Sequence, residues 1–242
     1  MKLKLNNKNV IITGGTRGIG KSIAKKFIEY GANVFITGTK DVNSFKSNLK
    51  IKDYMQLNSY DEYSIKNFYD QVRKMTKIDI LINNMGINKI DHIQDIKTKD
   101  FNSLINANLK IPFYLSQLVS KKMIKKRKGK RLNISSIWSI VSKEKRVSYA
   151  TSKSGLNGLT RSLAVDLGKY NILVNSLSPG VVYTDLTKRV LGKEINSIKR
   201  LIPLKRLAST KEISSAAIFL CSDLNTYVTG QNIMVDGGYT AI

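Results

Sequence analysis

One stretch constrains the fold more than any other. Val10-Ile11-Ile12 reads as a buried strand and runs straight into Thr13-Gly14-Gly15-Thr16-Arg17-Gly18-Ile19-Gly20. Apolar residues then recur at helical spacing through Ile23, Ala24, Phe27 and Ile28, up to Gly31. A strand, a glycine-rich turn and a helix N-terminus together form an anion site. Free backbone N–H groups and the positive end of the helix dipole face outward there. Glycines let the backbone come close to a pyrophosphate. Gly14, Thr16, Arg17, Gly18, Ile19 and Gly20 are therefore candidate dinucleotide-binding residues.

The same alternation continues down the chain. Strand-like runs lie at 33–37, 53–57, 78–82, 132–135, 172–177 and 232–235. Helical patterns occupy 61–75, 98–126, the segment from Tyr149 to about residue 168, and 211–221. Strands that alternate with helices predict a parallel sheet with right-handed crossovers. The expectation is an α/β fold: one Rossmann-type doubly wound domain over residues 1–242, with a seven-stranded parallel sheet and helices on both faces.

In such a sheet, ligands bind at the C-terminal ends of the strands. Several polar residues fall there. Asn83-Asn84-Met85-Gly86 follows the fourth strand, Ser135-Ser136 closes the fifth, and Ser178-Pro179-Gly180 closes the sixth. Ordinary loop chemistry is the bland reading of Asn83 and Asn84. Asn108, midway along the 98–126 helix, is either a satisfied structural amide or a site residue. The stretch 184–206 is basic with short helical patterns, and its place after a strand end suits a substrate lid.

Tyr149 and Lys153 are four apart, so on a helix they share a face. An ammonium beside a phenol favours the phenolate and makes the tyrosine a better acid. Taken alone, the pair reads better as a tyrosine and a lysine on an exposed helix face. His92 is the only histidine and has no ligand or triad partner at a suitable spacing, so it takes no role.

The end of the second strand bears on the nucleotide. A carboxylate that grips a ribose 2′-hydroxyl belongs there, but the sequence reads Gly38-Thr39-Lys40, with Asp41 one step further. Lys40 and Arg17 would welcome a 2′-phosphate, which points to NADP rather than NAD. The bland reading is two more surface charges.

Composition narrows the classes. The 242 residues are 42% hydrophobic, enough for a real core, and carry 41 basic against 17 acidic side chains, a net charge of +24. Such a balance favours acidic partners. One basic cluster stands out: Lys121, Lys122, Lys125, Lys126, Arg127, Lys128, Lys130 and Arg131. It has no interleaved aromatics for base stacking. A solvated helix end ranks first for it, an acidic protein or carrier second, and nucleic acid third. A single cysteine, Cys221, excludes an intramolecular disulfide and fits a reducing cytoplasm. No metal cluster is spaced in the sequence. Residues 1–9 lack a signal-peptide apolar stretch, and no segment is long enough to span a bilayer.

Taken together, Thr13-Gly14, Gly18-Ile19-Gly20, Asn83-Asn84-Met85-Gly86, Asn108, Ser136, Tyr149 with Lys153, and Pro179-Gly180 stand in the order found in short-chain dehydrogenase/reductases. The resemblance covers essentially the whole chain. Within that family the chain looks most like the 3-oxoacyl-[acyl-carrier-protein] reductases, through 13–20, the basic segment ending in Arg131, 149–155 and 229–238.

The resemblance implies an NADPH-dependent reduction of a ketone to a secondary alcohol in fatty acid biosynthesis. A sugar, polyol or other secondary alcohol is the alternative substrate, and a non-catalytic binding protein on the same scaffold is a third reading. It further implies catalytic roles for Tyr149, the proton donor, and Ser136, which orients the carbonyl. Lys153 would lower the tyrosine pKa and bond the nicotinamide ribose, and Asn108 would hold a relay water. Gly14, Thr16, Arg17, Gly18, Ile19 and Gly20 would line the pyrophosphate end, and Thr39 with Arg17 the 2′-phosphate. Asn58 and Ser59 would flank the adenine, Asn84 and Gly86 the adjoining ribose, and Pro179, Gly180, Val182 and Thr184 the nicotinamide end. Arg127 matches one of two arginines that dock an acidic acyl carrier protein; the other position falls near Lys169-Tyr170. Met85 and Asn58 depart from the family's usual alanine and aspartate. A homotetramer is implied as well.

Overall fold

The computed structural model describes residues 5–241, without the side chains of Leu186, Val190 and Lys193. Part of the 184–206 lid and the first four residues of the lysine-rich start thus lie outside what is described.

Seven strands form one parallel sheet in the order β3-β2-β1-β4-β5-β6-β7. They are β1 (Asn9–Ile12), β2 (Asn33–Gly38), β3 (Asp53–Gln56), β4 (Ile80–Asn83), β5 (Gly129–Ile134), β6 (Ile172–Pro179) and β7 (Asn232–Val235). The order reverses between β1 and β4, so a crevice opens above their C-terminal ends.

Burial on both faces explains the near-continuous apolar strands. Val10, Ile12, Ile80 and Ile82 point to one face, against α1 (Gly18–Glu29) and α8 (Thr210–Cys221). Ile11 and Leu81 point to the other, against α2 (Glu62–Lys74), α4 (Ile111–Lys126) and α5 (Val147–Gly168). Ser209 caps α8 in a capping box with Glu212. Among the described residues no helix is long and apolar enough to cross a membrane.

The helix expected over 98–126 is interrupted. α3 (Thr98–Ile105) passes into a π-helical turn at Asn106–Lys110 before α4 begins. Pro112 stands at the start of α4, lacks an N–H and cannot continue the preceding ladder, which favours a reset there. Such π-turns occur often at functional sites, and this one carries Asn108.

The basic cluster is also not one solvated helix end. Arg131 lies in β5 at 2% exposure, and burial pushes its pKa down to about 9. Its guanidinium donates to Ser120 Oγ at 2.8 Å and to the Ser116 carbonyl. Lys130 reaches the Asn225 carbonyl, and Lys126 and Lys128 pair with Asp79 and Asp223. Arg131 and Lys130 belong to a strand, so their side chains alternate across a covered sheet instead of facing water.

Asn83 is a second correction. It is not a loop residue but the buried last residue of β4, and its amide donates to Asn133 Oδ1 on β5 at 2.8 Å. The lid region folds as α6 (Asp185–Leu191), a 3-10 turn (Gly192–Glu194) and α7 (Ile195–Leu201), consistent with its short helical patterns.

Candidate active site

The glycine turn is held from three sides. Gly14 N–H donates to Thr37 Oγ1 at 3.0 Å, and Gly15 N–H to the Thr37 carbonyl at 3.0 Å. Asn84 Nδ2 donates to the carbonyls of Thr13 and Gly14, each at 3.0 Å. The Asn84 and Met85 N–H groups both donate to Thr13 Oγ1 at 3.0 Å. Both amide hydrogens of Asn84 are thus spent on bracing the turn, which leaves only its oxygen to face a ligand. At Gly20, a Cβ would meet the Gly14 carbonyl oxygen at 2.2 Å, so the first turn of α1 can pack on the loop only as glycine. A Cβ on Gly18 would stand 3.7 Å from Thr184 Cγ2, which brings the first residue of the 184–206 segment against the glycine turn.

The adenine-side candidates flank the same crevice. Arg17, Thr39 and Lys40 are exposed at the ends of the turn and of β2, with no carboxylate at the β2 terminus itself. Ser59 is buried, and its carbonyl accepts from Asn106 Nδ2 at 2.9 Å. Asn58 Oδ1 accepts from Tyr60 N–H at 3.1 Å. At the far end, Pro179 closes β6, Gly180 N–H donates to the Val235 carbonyl at 2.9 Å, and Val182 bridges to Ala208. Thr184 caps α6 by accepting from Thr187 N–H at 3.1 Å.

Between these ends lie Ser136, Tyr149, Lys153 and Asn108. Ser136 follows β5, and Tyr149 and Lys153 sit on the first turns of α5. Lys153 is 4% exposed, and burial pushes its pKa down to about 8. Its Nζ donates to the Ile134 carbonyl at 2.8 Å and lies 5.6 Å from the Tyr149 ring centroid. Burial raises the Tyr149 pKa, while the Ser136 hydroxyl and the Arg146 charge pull it down, with a net rise. The expected lowering by Lys153 is not among these causes. The ammonium is drawn to a strand carbonyl, and the charge acting on the phenol is Arg146.

Asn108 is completely buried. Its Oδ1 accepts from Ile87 N–H at 2.8 Å, and its Nδ2 donates to the Ile87 carbonyl at 2.9 Å and to Ser152 Oγ at 3.0 Å. Both amide hydrogens are used, so the side chain clamps the loop after β4 to α5. Gly86 is wedged beside it: a Cβ there would lie 3.1 Å from Asn108 Oδ1 and 3.5 Å from Lys153 Nζ.

Two neighbours escaped the sequence reading. Arg146 stands at the N-cap position of α5, one turn before Tyr149, and its guanidinium lies over Trp138, with Cζ 5.9 Å from the ring centroid. Trp138 N–H donates to Ser136 Oγ at 3.3 Å. The three-residue spacing of Arg146 and Tyr149 was a usable signal; the Trp138 contact, from another segment, was not. Arg127, the carrier-docking candidate, ends α4 in a left-handed conformation. It donates from Nη2 to the Lys169 carbonyl at 2.9 Å and lies over Tyr170.

The arrangement gathers a hydroxyl, a phenol and a buried ammonium next to an anion-binding turn. Such a set can polarise a carbonyl, protonate its oxygen and hold a diphosphate-bearing ligand nearby.

The chain is similar to known proteins over nearly its whole length. Residues 14–240 match the family model described as Enoyl-(Acyl carrier protein) reductase. The 3-oxoacyl-[acyl-carrier-protein] reductase FabG of Aquifex aeolicus (strain VF5) is 37% identical, covering 98% of this chain and 99% of its own length. The NAD-dependent glycerol dehydrogenase of Listeria innocua serovar 6a is 32% identical, over 98% of this chain and 95% of that protein. Among solved structures, a gluconate 5-dehydrogenase from Burkholderia cenocepacia J2315 in complex with NADP and tartrate superposes with a TM-score of 0.89 at 29% identity, covering 99% of this chain and 97% of that one. The family-model match over residues 14–240 and the 37% identity to the Aquifex protein over nearly the full length of both make this chain a member of the short-chain dehydrogenase/reductase family.

Proposed function

We propose that this protein interconverts a ketone and a secondary alcohol with NADP(H), using Ser136, Tyr149 and Lys153 as its catalytic groups and Asn108 as the clamp that positions them. The observation that carries this reading is the placement of Ser136 and Tyr149 together at the sheet edge, with the desolvated Lys153 behind them.

The residues present fit a dinucleotide. The Gly20 contact leaves the α1 N-terminus open to a pyrophosphate, and Gly14, Thr16, Gly18 and Ile19 line it. Arg17, Thr39 and Lys40, without a carboxylate at the β2 end, suit a 2′-phosphate, which favours NADP. Asn58 and Ser59 would border the adenine, Asn84 and Gly86 the ribose, and Pro179, Gly180, Val182 and Thr184 the carboxamide end. When bound, NADPH supplies hydride to the carbonyl carbon. Tyr149 gives its proton to the oxygen as negative charge gathers there, and its raised pKa keeps it protonated at neutral pH. Ser136 donates a hydrogen bond to the same oxygen, a contribution of roughly 3–4 kcal/mol for a strong preorganised donor. Lys153 has three N–H donors and spends one on Ile134, leaving two for the ribose and the tyrosine side.

The substrate proposed from likeness to the Aquifex protein is 3-oxoacyl-[acyl-carrier-protein], reduced in fatty acid biosynthesis, with Arg127 and the α4 end meeting an acidic carrier. A second reading, a hydroxy acid or polyol, is favoured by Arg127 itself, whose guanidinium is engaged by Lys169 and Tyr170. The test is a screen of acetoacetyl thioesters, keto acids and polyols with NADPH and NADH, followed through reduced-nicotinamide absorbance. Oxidation of NADPH by no ketone in the panel would contradict the reductase reading.

We also propose a cytoplasmic homotetramer. Phe113, Tyr114 and Val165 on α4 and α5 are 47%, 52% and 81% exposed, an apolar face suited to a second copy. Sedimentation of the wild type against Phe113→Lys tests it, with a shift to smaller species expected.

A further inference from the structure

Ketone reduction by Ser136, Tyr149 and Lys153 leaves the N–H groups of one nearby charge without a task. Arg146 stands one helical turn before Tyr149, with its guanidinium against the face of Trp138. Trp138 in turn bonds Ser136 through its backbone N–H. The arginine thus neighbours Tyr149 on its own helix and is linked to Ser136 through Trp138.

Its Nε and Nη1 are buried, and neither has a hydrogen-bond partner among the described residues. No carboxylate there lies within ion-pair distance of it; Glu194, on the lid turn, acts on it only through space. Tuning the phenol of Tyr149 needs the charge alone, not the N–H groups. Buried donors without partners are costly, and the partial desolvation of the charge adds to that cost. A neutral carbonyl from outside would satisfy the hydrogen bonds and leave the charge. An oxyanion satisfies both, through short charge-assisted bonds.

We propose that Arg146, backed by Trp138, anchors an anionic group, carboxylate or phosphate, carried by the ketone substrate. This rests on the ketone–alcohol reading above and deepens it. Of the two substrate classes it favours the acid-bearing ketone over the thioester.

Trp138 is the only tryptophan in the chain, so its fluorescence reports directly on the Arg146 site. The full-length protein, with and without NADP⁺, is titrated with acetoacetate, inorganic phosphate and neutral acetoacetamide at constant ionic strength. A saturable change is expected with an anion and not with the amide. Its midpoint should weaken about tenfold or more, the value of one lost charge-assisted bond, in Arg146→Gln. Arg146→Lys should keep part of it, and guards against a folding defect in the first variant.

Kinetics with NADPH then compare acetoacetate with acetoacetamide, and dihydroxyacetone phosphate with dihydroxyacetone. The pair that shows the preference tells carboxylate from phosphate. In Arg146→Gln the loss should concentrate on the charged member and appear in KM more than in kcat. An equal fall in kcat for charged and neutral members, or a fluorescence response unchanged by Arg146→Gln or absent altogether, overturns the proposal. Turnover of acetoacetyl thioester but of no acid overturns it while leaving the reductase reading intact. If no ketone oxidises NADPH, that reading fails, and the titration still decides Arg146.

Discussion

Lys153 Nζ donates to the carbonyl oxygen of Ile134, the last residue of β5, at 2.8 Å. The bond pins α5 to the strand that delivers Ser136, so the ammonium sets the distance between two elements of the site. It also places a charged group where only 4% of the residue meets solvent.

That burial has a measurable cost. The folded protein holds the Lys153 proton with a pKa of about 8, against 10.5 for the exposed side chain. Between those values the unfolded chain binds more protons, so stability rises with pH across the window. The penalty is fully present below about pH 8. Lys153→Met should remove this rise, worth on the order of 3 kcal/mol. Urea unfolding at pH 7 and pH 10 checks it: the wild-type minus variant difference should change between the two, and parallel profiles would refute the assignment. The same variant should also weaken both turnover and NADPH binding.

Gly86 separates Asn108 from Lys153 with no room to spare. In Gly86→Ala the new methyl group would lie 3.1 Å from Asn108 Oδ1 and 3.5 Å from Lys153 Nζ. Turnover should fall tenfold or more (about 1.4 kcal/mol) as the clamp to Ile87 and Ser152 shifts. Asn108→Ala should cost about 1–3 kcal/mol of stability, because the Ile87 N–H and carbonyl lose their partner in a partly buried place. Thermal midpoints and kcat, measured together, distinguish clamp from solvent relay. A variant with native stability and low kcat would argue for the relay.

Cofactor choice rests on charge at the β2 end. Thr39→Asp and Arg17→Glu should each lower kcat/KM for NADPH by about tenfold or more, the worth of a charge-assisted contact. NADH should be little affected by Arg17→Glu and improved by Thr39→Asp. Steady-state kinetics with both nicotinamides checks this, and equal losses with the two would remove the 2′-phosphate assignment.

Much of this was legible in the chain because local pattern and global fold agree. The 10–20 segment carries its strand, turn and helix signals in contiguous residues, and the strand runs alternate to both faces of the sheet. Ser136, Tyr149 and Lys153 could be placed from their positions at a strand end and a helix start. The π-turn at Asn106–Lys110 could not, because apolar spacing runs through it unbroken and only Pro112 marks the reset. Arg131 hid in a basic run whose last members belong to a strand. Arg146 and the Lys153–Ile134 bond depend on which segments pack together, which no local period encodes.

The central claim is that the Tyr149 hydroxyl delivers the proton. Tyr149→Phe removes that oxygen and leaves the ring. Turnover of the best ketone from the screen, measured with NADPH at neutral pH beside a direct NADPH binding titration, tests it. The account predicts a loss of about 10²-fold or more in kcat with NADPH affinity within a few-fold of wild type. A variant that turns over at the wild-type rate would contradict it.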